Sequence, residues 1–267
     1  MTVTHNIVIV GAGHMGIAIF LGLKQSNLEA SILIIEPNRL LRSKLVRAGI
    51  NAHEKTPKLT GYETLILAIP PQAFSEFSKT CNSVQNHSGL IISVMAGIKL
   101  FELHKTLSAT QLCRAMPNVP CAVAEGITVL CYAPSLSKEN REIAQRLFSG
   151  IGKFLLAEEE LFDSATALVG GGPAYVAYFA NSLREYAIFS GFNENSAHQI
   201  VNQLLRGTSA LLVESAEPPL DLCKKVMTAK GTTERAIQFF DEHQMNTIIV
   251  DGLKQASQRA TLLGEGR

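Results

Sequence analysis

The sequence lacks any excess of charge. Its 24 basic and 23 acidic side chains leave a formal net charge of +1, which gives no electrostatic reason to expect nucleic acid or an anionic membrane as a partner. It has no C-x-x-C pair, and its five cysteines are odd in number and stand mostly among apolar neighbours. They are expected as reduced core thiols, not as a disulfide framework. No apolar run approaches the about 20 residues that span a bilayer, and the apolar start carries no basic leader. A soluble cytoplasmic protein is the expectation. There is also no G-x-S-x-G elbow, no cluster with metal-ligand spacing and no nucleophile beside a histidine pair, so hydrolytic and metal-dependent chemistry have no evident carrier. Repeats and low-complexity tracts are missing too. The 267 residues exceed the commonest single-domain size, which favours two domains.

What the sequence does have is a glycine-punctuated opening, HNIVIVGAGHMGIAIFLGL. Asn6 to Val10 form a β-branched run suited to a strand buried on both faces of a parallel sheet. Gly11, Gly13 and Gly16 follow at G-x-G-x-x-G spacing, and His14 and Met15 open an apolar helix. In that order of strand, turn and helix, Gly11 permits the tight turn, Gly13 lets backbone approach a pyrophosphate, and Gly16 lets helix and sheet lie close. The next strand, SILIIE, ends at Glu36, about 20 residues on, where the ribose-binding acid of such folds is expected. Glu36 favours NADH, whereas Asn38 and Arg39, with Arg42 behind them, could hold the additional phosphate of NADPH.

Further strands are expected at 64–69, 90–95, before Pro117, from Gly126 and from Gly152, alternating with helices such as 40–47, 73–81 and 138–148. After about residue 160 only helical segments follow, with an acidic cluster, Glu158 to Glu160, expected as the first turn of a helix. The fold class is therefore α/β: a doubly wound Rossmann-type sheet followed by an all-α C-terminal domain, divided as 1–158 and 159–267. Ala96 and Gly97 after one strand, and Asn118 in the Pro117–Pro120 loop after the next, stand at the carboxyl ends of strands, where ligands sit in open sheets. Metal binding is not expected of the seven histidines. His14 lies in the glycine loop, while His53, His87, His104, His198 and His243 are expected to be solvated or capping.

Three further segments, CRAMPNVPCAVAEGITVL, LVGGGPAYVAYFANSLREYAIFSGF and VMTAKGTTERAI, resemble the pyrroline-5-carboxylate reductase family. The first is similar to its R-x-M-P-N-T-P segment, the second to its G-S-G-P-A-Y stretch, and the third to its V-T-S-P-G-G-T-T loop. The resemblance runs along essentially the whole chain. It implies NAD(P)H-dependent reduction of 1-pyrroline-5-carboxylate to L-proline, in a homodimer or higher homo-oligomer, with a lean to NADPH. It also implies that the loop of Thr228, Gly231, Thr232 and Thr233 holds the substrate, and that Ile69 and Pro70 join the cofactor contacts. The physical reading agrees: a cyclic imine can be protonated in solution, so the protein's task is orientation. Gly231, Thr232 and Thr233 are expected just ahead of a helix beginning at Glu234, where N–H groups favour a carboxylate; a plain threonine N-cap is the other reading. Two departures stand near the site. Pro70 occupies the position of a usual lysine, and Ala229 and Lys230 replace proline and glycine. A reductase of another cyclic imine, or a dinucleotide-binding regulatory protein without turnover, therefore stays open.

Overall fold

The computed structural model describes residues 5–26, 28–59, 64–85 and 87–264. Strands β1 (His5–Val10), β2 (Ala30–Ile35), β3 (Ala52–His53), β4 (Thr64–Leu67), β5 (Leu90–Ser93), β6 (Leu112–Met116), β7 (Gly126–Tyr132) and β8 (Gly152–Leu156) form one eight-stranded sheet in the order 3-2-1-4-5-6-7-8. All neighbouring pairs are parallel except β6 with β7. The chain steps outward from β1 through β2 to β3 and then returns to the other flank of β1. The strand order thus reverses between β1 and β4, the crevice where open α/β sheets take ligands.

β1 explains why that sheet needs no polar face. Ile7 and Ile9 bury in one apolar cluster and Val8 and Val10 in a second on the opposite side, since successive side chains of a strand alternate. Helices α1 (His14–Gln25), α2 (Arg39–Arg47), α3 (Phe74–Thr80), α4 (Leu100–Leu107) and α5 (Lys138–Ser149) cover the sheet. Asn38 caps α2 by accepting from the N–H groups of Leu40 and Leu41, and Ser137 caps α5 through the N–H of Asn140.

As expected, among the described residues only helices follow β8: α6 (Phe162–Ala165), α7 (Gly172–Phe189), α8 (Glu194–Ser215), α9 (Pro219–Val226), α10 (Thr232–Glu242) and α11 (Met245–Gly264). A π-helical turn, Thr166–Gly170, joins α6 to α7. The apolar stretch 234–263 splits into α10 and α11 because Gln244 adopts a left-handed φ of 54°, which no α-helix continues through. The chain forms two compact units, Met1–Pro173 with Lys254–Arg267, and Ala174–Leu253. The first unit extends beyond the last strand because Phe162 and Ala165 of α6 bury against Met116 and Val129.

All five cysteines are free. Burial pushes the thiols of Cys121 and Cys131 up to about 11 and that of Cys113 higher still, which suits inert core residues. His87 departs from the expected surface position. It is 8% exposed, its Nε2 has no partner, and burial holds its imidazole below the ordinary value of 6.5. As pH falls the unfolded chain therefore takes the proton first, so His87's contribution to stability is full above the ordinary value and declines below it. We expect the melting temperature to fall between pH 7 and 5, and His87→Phe to flatten that slope. Thermal scans across the range check this, and an unaltered slope in the variant would assign the effect to other groups.

Candidate active site

The three glycines of the opening loop separate into two kinds. A Cβ on Gly11, at φ +103°, would lie 2.4 Å from the Ala68 carbonyl oxygen, and one on Gly16 would lie 2.1 Å from the Gly11 carbonyl oxygen. The fold itself excludes side chains at both. Gly13 differs: it has an ordinary extended backbone, φ −68° and ψ −177°, and a Cβ there would meet nothing within 4 Å. It is the N-cap of α1, no side chain caps that helix, and His14 beside it is exposed. The uncapped N–H groups of His14, Met15 and Gly16 make a ready anion site. Glycine at 13 clears the approach to it.

Glu36 ends β2 buried, and both carboxylate oxygens are engaged by backbone. Oε2 accepts from the Ala12 N–H at 3.1 Å and Oε1 from the Asn38 N–H at 2.8 Å. Its first role is thus to brace the glycine loop against the loop after β2. Arg42 is also committed, donating to the Glu36 and Pro37 carbonyls and to Glu54. Arg39 is exposed and pairs with no acid among the described residues. Its guanidinium is open to a phosphate. Beside this loop opens a cleft of about 790 Å³ lined by residues that include Val10, Gly11, Ile35, Pro37, Lys55, Thr56, Ile69, Phe77 and Thr80. Its size and mixed lining suit a nucleotide.

The other residues expected from the sequence to meet the cofactor stand along the same sheet end. Ile69 and Pro70 follow β4, where Pro70 precedes a short 3-10 turn. Ala96 and Gly97 follow β5, with Gly97 at φ +75°. Asn118 follows β6, where it is buried and accepts from the Ile127 N–H at 3.0 Å; its carbonyl therefore ties the loop to the start of β7. The residues of this unit fit a dinucleotide: a clear helix N-terminus for the pyrophosphate, and a cleft and a free arginine on the β2 side.

Sequence reasoning missed one buried pair. Arg114, 2% exposed on β6, donates through Nη1 to Glu159 at 2.8 Å, lies 4.5 Å over the Phe162 ring, and leaves Nη2 without a partner. The same Glu159 Oε1 accepts from the Leu100 N–H at 2.7 Å. The acidic cluster is a 3-10 turn ahead of α6 as well as a distant cap for α4. The readable signal was a charge inside an otherwise apolar strand, since such a charge needs a partner.

In the second unit the threonine loop closes on itself. The Gly231 N–H donates to the Thr228 carbonyl at 2.8 Å, and a Cβ on Gly231 would lie 2.3 Å from Thr228 Oγ1. Lys230 sits at a left-handed φ of 60°, with its N–H held by Glu234 Oε2 at 2.5 Å. α10 begins at Thr232, two residues before the expected start, and its N-cap is Gly231 without a side-chain cap. Neither threonine is therefore the N-cap. Both hydroxyls are without a hydrogen-bond partner among the described residues.

Sheet order, glycine loop and cleft define a Rossmann-type fold suited to a dinucleotide. Residues 159–263 match the family model described as pyrroline-5-carboxylate reductase dimerisation, and residues 6–97 the one described as NADP oxidoreductase coenzyme F420-dependent. The pyrroline-5-carboxylate reductase of Pasteurella multocida is 29% identical over 264 residues, 96% of each chain, and that of Aquifex aeolicus 29% identical over 262 residues, 97% of this chain and 98% of the other. Among solved structures, the Plasmodium falciparum pyrroline carboxylate reductase with NADP bound superposes with a TM-score of 0.88 at 20% identity, covering 99% of both chains. The enzyme of Streptococcus pyogenes superposes with a TM-score of 0.86 at 24% identity, covering 97% of this chain and 98% of the other. The chain is thus similar to pyrroline-5-carboxylate reductases along nearly its whole length.

Proposed function

We propose that the chain reduces 1-pyrroline-5-carboxylate to L-proline, with NADPH as the preferred hydride donor. The observation that carries this reading is the start of α10: a helix N-terminus without a side-chain cap, bearing the family's threonine pair with both hydroxyls free. The N–H groups of Thr232 and Thr233 hold the substrate carboxylate, where the helix dipole favours an anion. The Thr233 hydroxyl faces the ring nitrogen and fixes the ring's orientation. The bound dinucleotide supplies the hydride. This goes to the imine carbon, while the nitrogen keeps the proton taken up from solvent, so one C–H and one N–H bond replace the C=N double bond. No further acid or base is asked of the protein. Oxidation of NADPH on addition of 1-pyrroline-5-carboxylate, with proline as product, tests the reading; absence of turnover with either dinucleotide would overturn it.

Arg39 supports the lean to NADPH, because Glu36 is turned onto backbone and Arg42 onto carbonyls, leaving one free guanidinium at the end of β2. A charge-assisted contact to phosphate is worth about 1.5–3 kcal/mol. Arg39→Ala is therefore expected to raise KM for NADPH by roughly tenfold to a hundredfold and to leave KM for NADH nearly unchanged. Equal constants for both dinucleotides in wild type and variant would show that this loop does not read the phosphate.

The same reading carries a homodimer or larger homo-oligomer. The helices of the second unit expose Tyr178 (81%), Tyr186 (69%), Phe189 (88%) and Val213 (70%), apolar surface of the kind that partners cover, in the segment matched by the dimerisation model. A cytoplasmic location suits five unpaired cysteines.

A further inference from the structure

The loop between β5 and α4, which presents Ala96 and Gly97, is gripped from two directions by distant parts of the first unit. At Gly97 the grip is backbone on backbone. A Cβ on Gly97 would lie 2.5 Å from the Gly264 nitrogen and 2.6 Å from its Cα, and a Cβ on Gly264 would lie 2.5 Å from the Gly97 carbonyl oxygen. Neither glycine can carry a side chain without moving the other. The last turn of α11 that brings Gly264 there is itself fixed: Ala260 is 2% exposed, and the Thr261 hydroxyl donates to Asp163 Oδ2 at 2.8 Å. At the far end of the loop, Lys99 gives α4 no side-chain cap, and Glu159 takes the Leu100 N–H instead while paired with buried Arg114. The segment 97–100 is thus held at one end by the last described turn of α11 and at the other by a buried ion pair.

Such effort on a short loop needs a reason. Close approach of two glycine backbones is specific in position but gains little apolar burial, so it serves geometry better than stability. On the proposed reading, a dinucleotide whose pyrophosphate lies at Gly13 extends along the strand ends from β1 toward β5, with its reactive ring at the Ala96–Gly97 loop. We propose that Gly264 is a positioning residue for hydride transfer, acting through Gly97. The inference rests on the reductase reading and adds to it a role for the end of α11.

Two variants test it. Gly264→Ala pushes a methyl group against Gly97, and deletion from Gly264 onward removes the wall without adding bulk. In both, amide hydrogen exchange in peptides covering 94–99 should rise, and kcat with 1-pyrroline-5-carboxylate should fall by about tenfold or more, the scale set by misplacement of a reacting group. The NADPH dissociation constant and the KM for the imine should stay within about twofold, because pyrophosphate, adenosine and carboxylate contacts lie elsewhere. Wild-type kcat in both variants would overturn the positioning role, as would a loss of NADPH binding that tracks a fall in melting temperature. A wild-type protein without turnover would instead sink the reductase reading, and the exchange measurement would still report whether Gly264 holds the loop.

Discussion

Gly13→Ala is expected to weaken dinucleotide binding by roughly tenfold to a hundredfold, the worth of one or two charge-assisted N–H contacts to phosphate, while leaving the melting temperature close to wild type. The backbone at Gly13 is one that alanine adopts, and its Cβ would meet nothing within 4 Å. A poorer N-cap costs about 0.5–1 kcal/mol, and the stiffer unfolded chain offsets about as much. Gly11→Ala and Gly16→Ala should behave in the opposite manner. There the added methyl overlaps the carbonyl oxygens of Ala68 and Gly11, so stability falls steeply and binding is lost only with the fold. Thermal melts and NADPH titrations on the three variants separate the two kinds of glycine. If Gly13→Ala binds NADPH as tightly as wild type, the phosphate does not lie at this helix end, and the glycine there has no account in this structure.

That contrast shows what was legible in the sequence. Local signals sufficed for the strand, turn and helix around residues 6–24, because a β-branched run, a fixed glycine spacing and an apolar helix lie within one short segment. The position of Glu36 was legible for the same reason. Its engagement was not, since which donors meet a carboxylate depends on where the Ala12 and Asn38 N–H groups finish after folding. The antiparallel entry of β7 was hidden too. It rests on the pairing of Cys113–Met116 with Val129–Tyr132, a contact between strands that neither segment reports alone. Arg114 with Glu159, and Gly97 with Gly264, join residues far apart in the chain, and no local period reports such pairs. The threonine loop was legible by resemblance alone, as two threonines before a helix more often cap it than bind a ligand. The structure changes that weighing by giving the cap to Gly231.

Thr233→Ala accordingly has two expected effects of opposite sign. At the second helical position of α10, with its hydroxyl free of protein partners, Thr233 contributes nothing as a cap. Alanine is the better helix former by up to about 0.7 kcal/mol, so the variant should melt at or slightly above the wild-type temperature. Catalysis should move the other way. Losing one hydrogen bond aimed at the reacting group raises a barrier by about 2–4 kcal/mol, a fall in kcat/KM of roughly thirtyfold to a thousandfold. NADPH affinity should be unchanged, because the proposed dinucleotide contacts all belong to the first unit. Thr233→Ser, which keeps the hydroxyl, should recover most of the activity, and Thr232→Ala should cost less because its backbone N–H, the proposed contact to the carboxylate, is retained. Steady-state kinetics, NADPH titration and thermal melts on the three variants resolve these outcomes. Wild-type efficiency in a stable Thr233→Ala would remove the ring-nitrogen contact from the mechanism, and a drop in activity that follows a drop in melting temperature would return the threonine to a structural role.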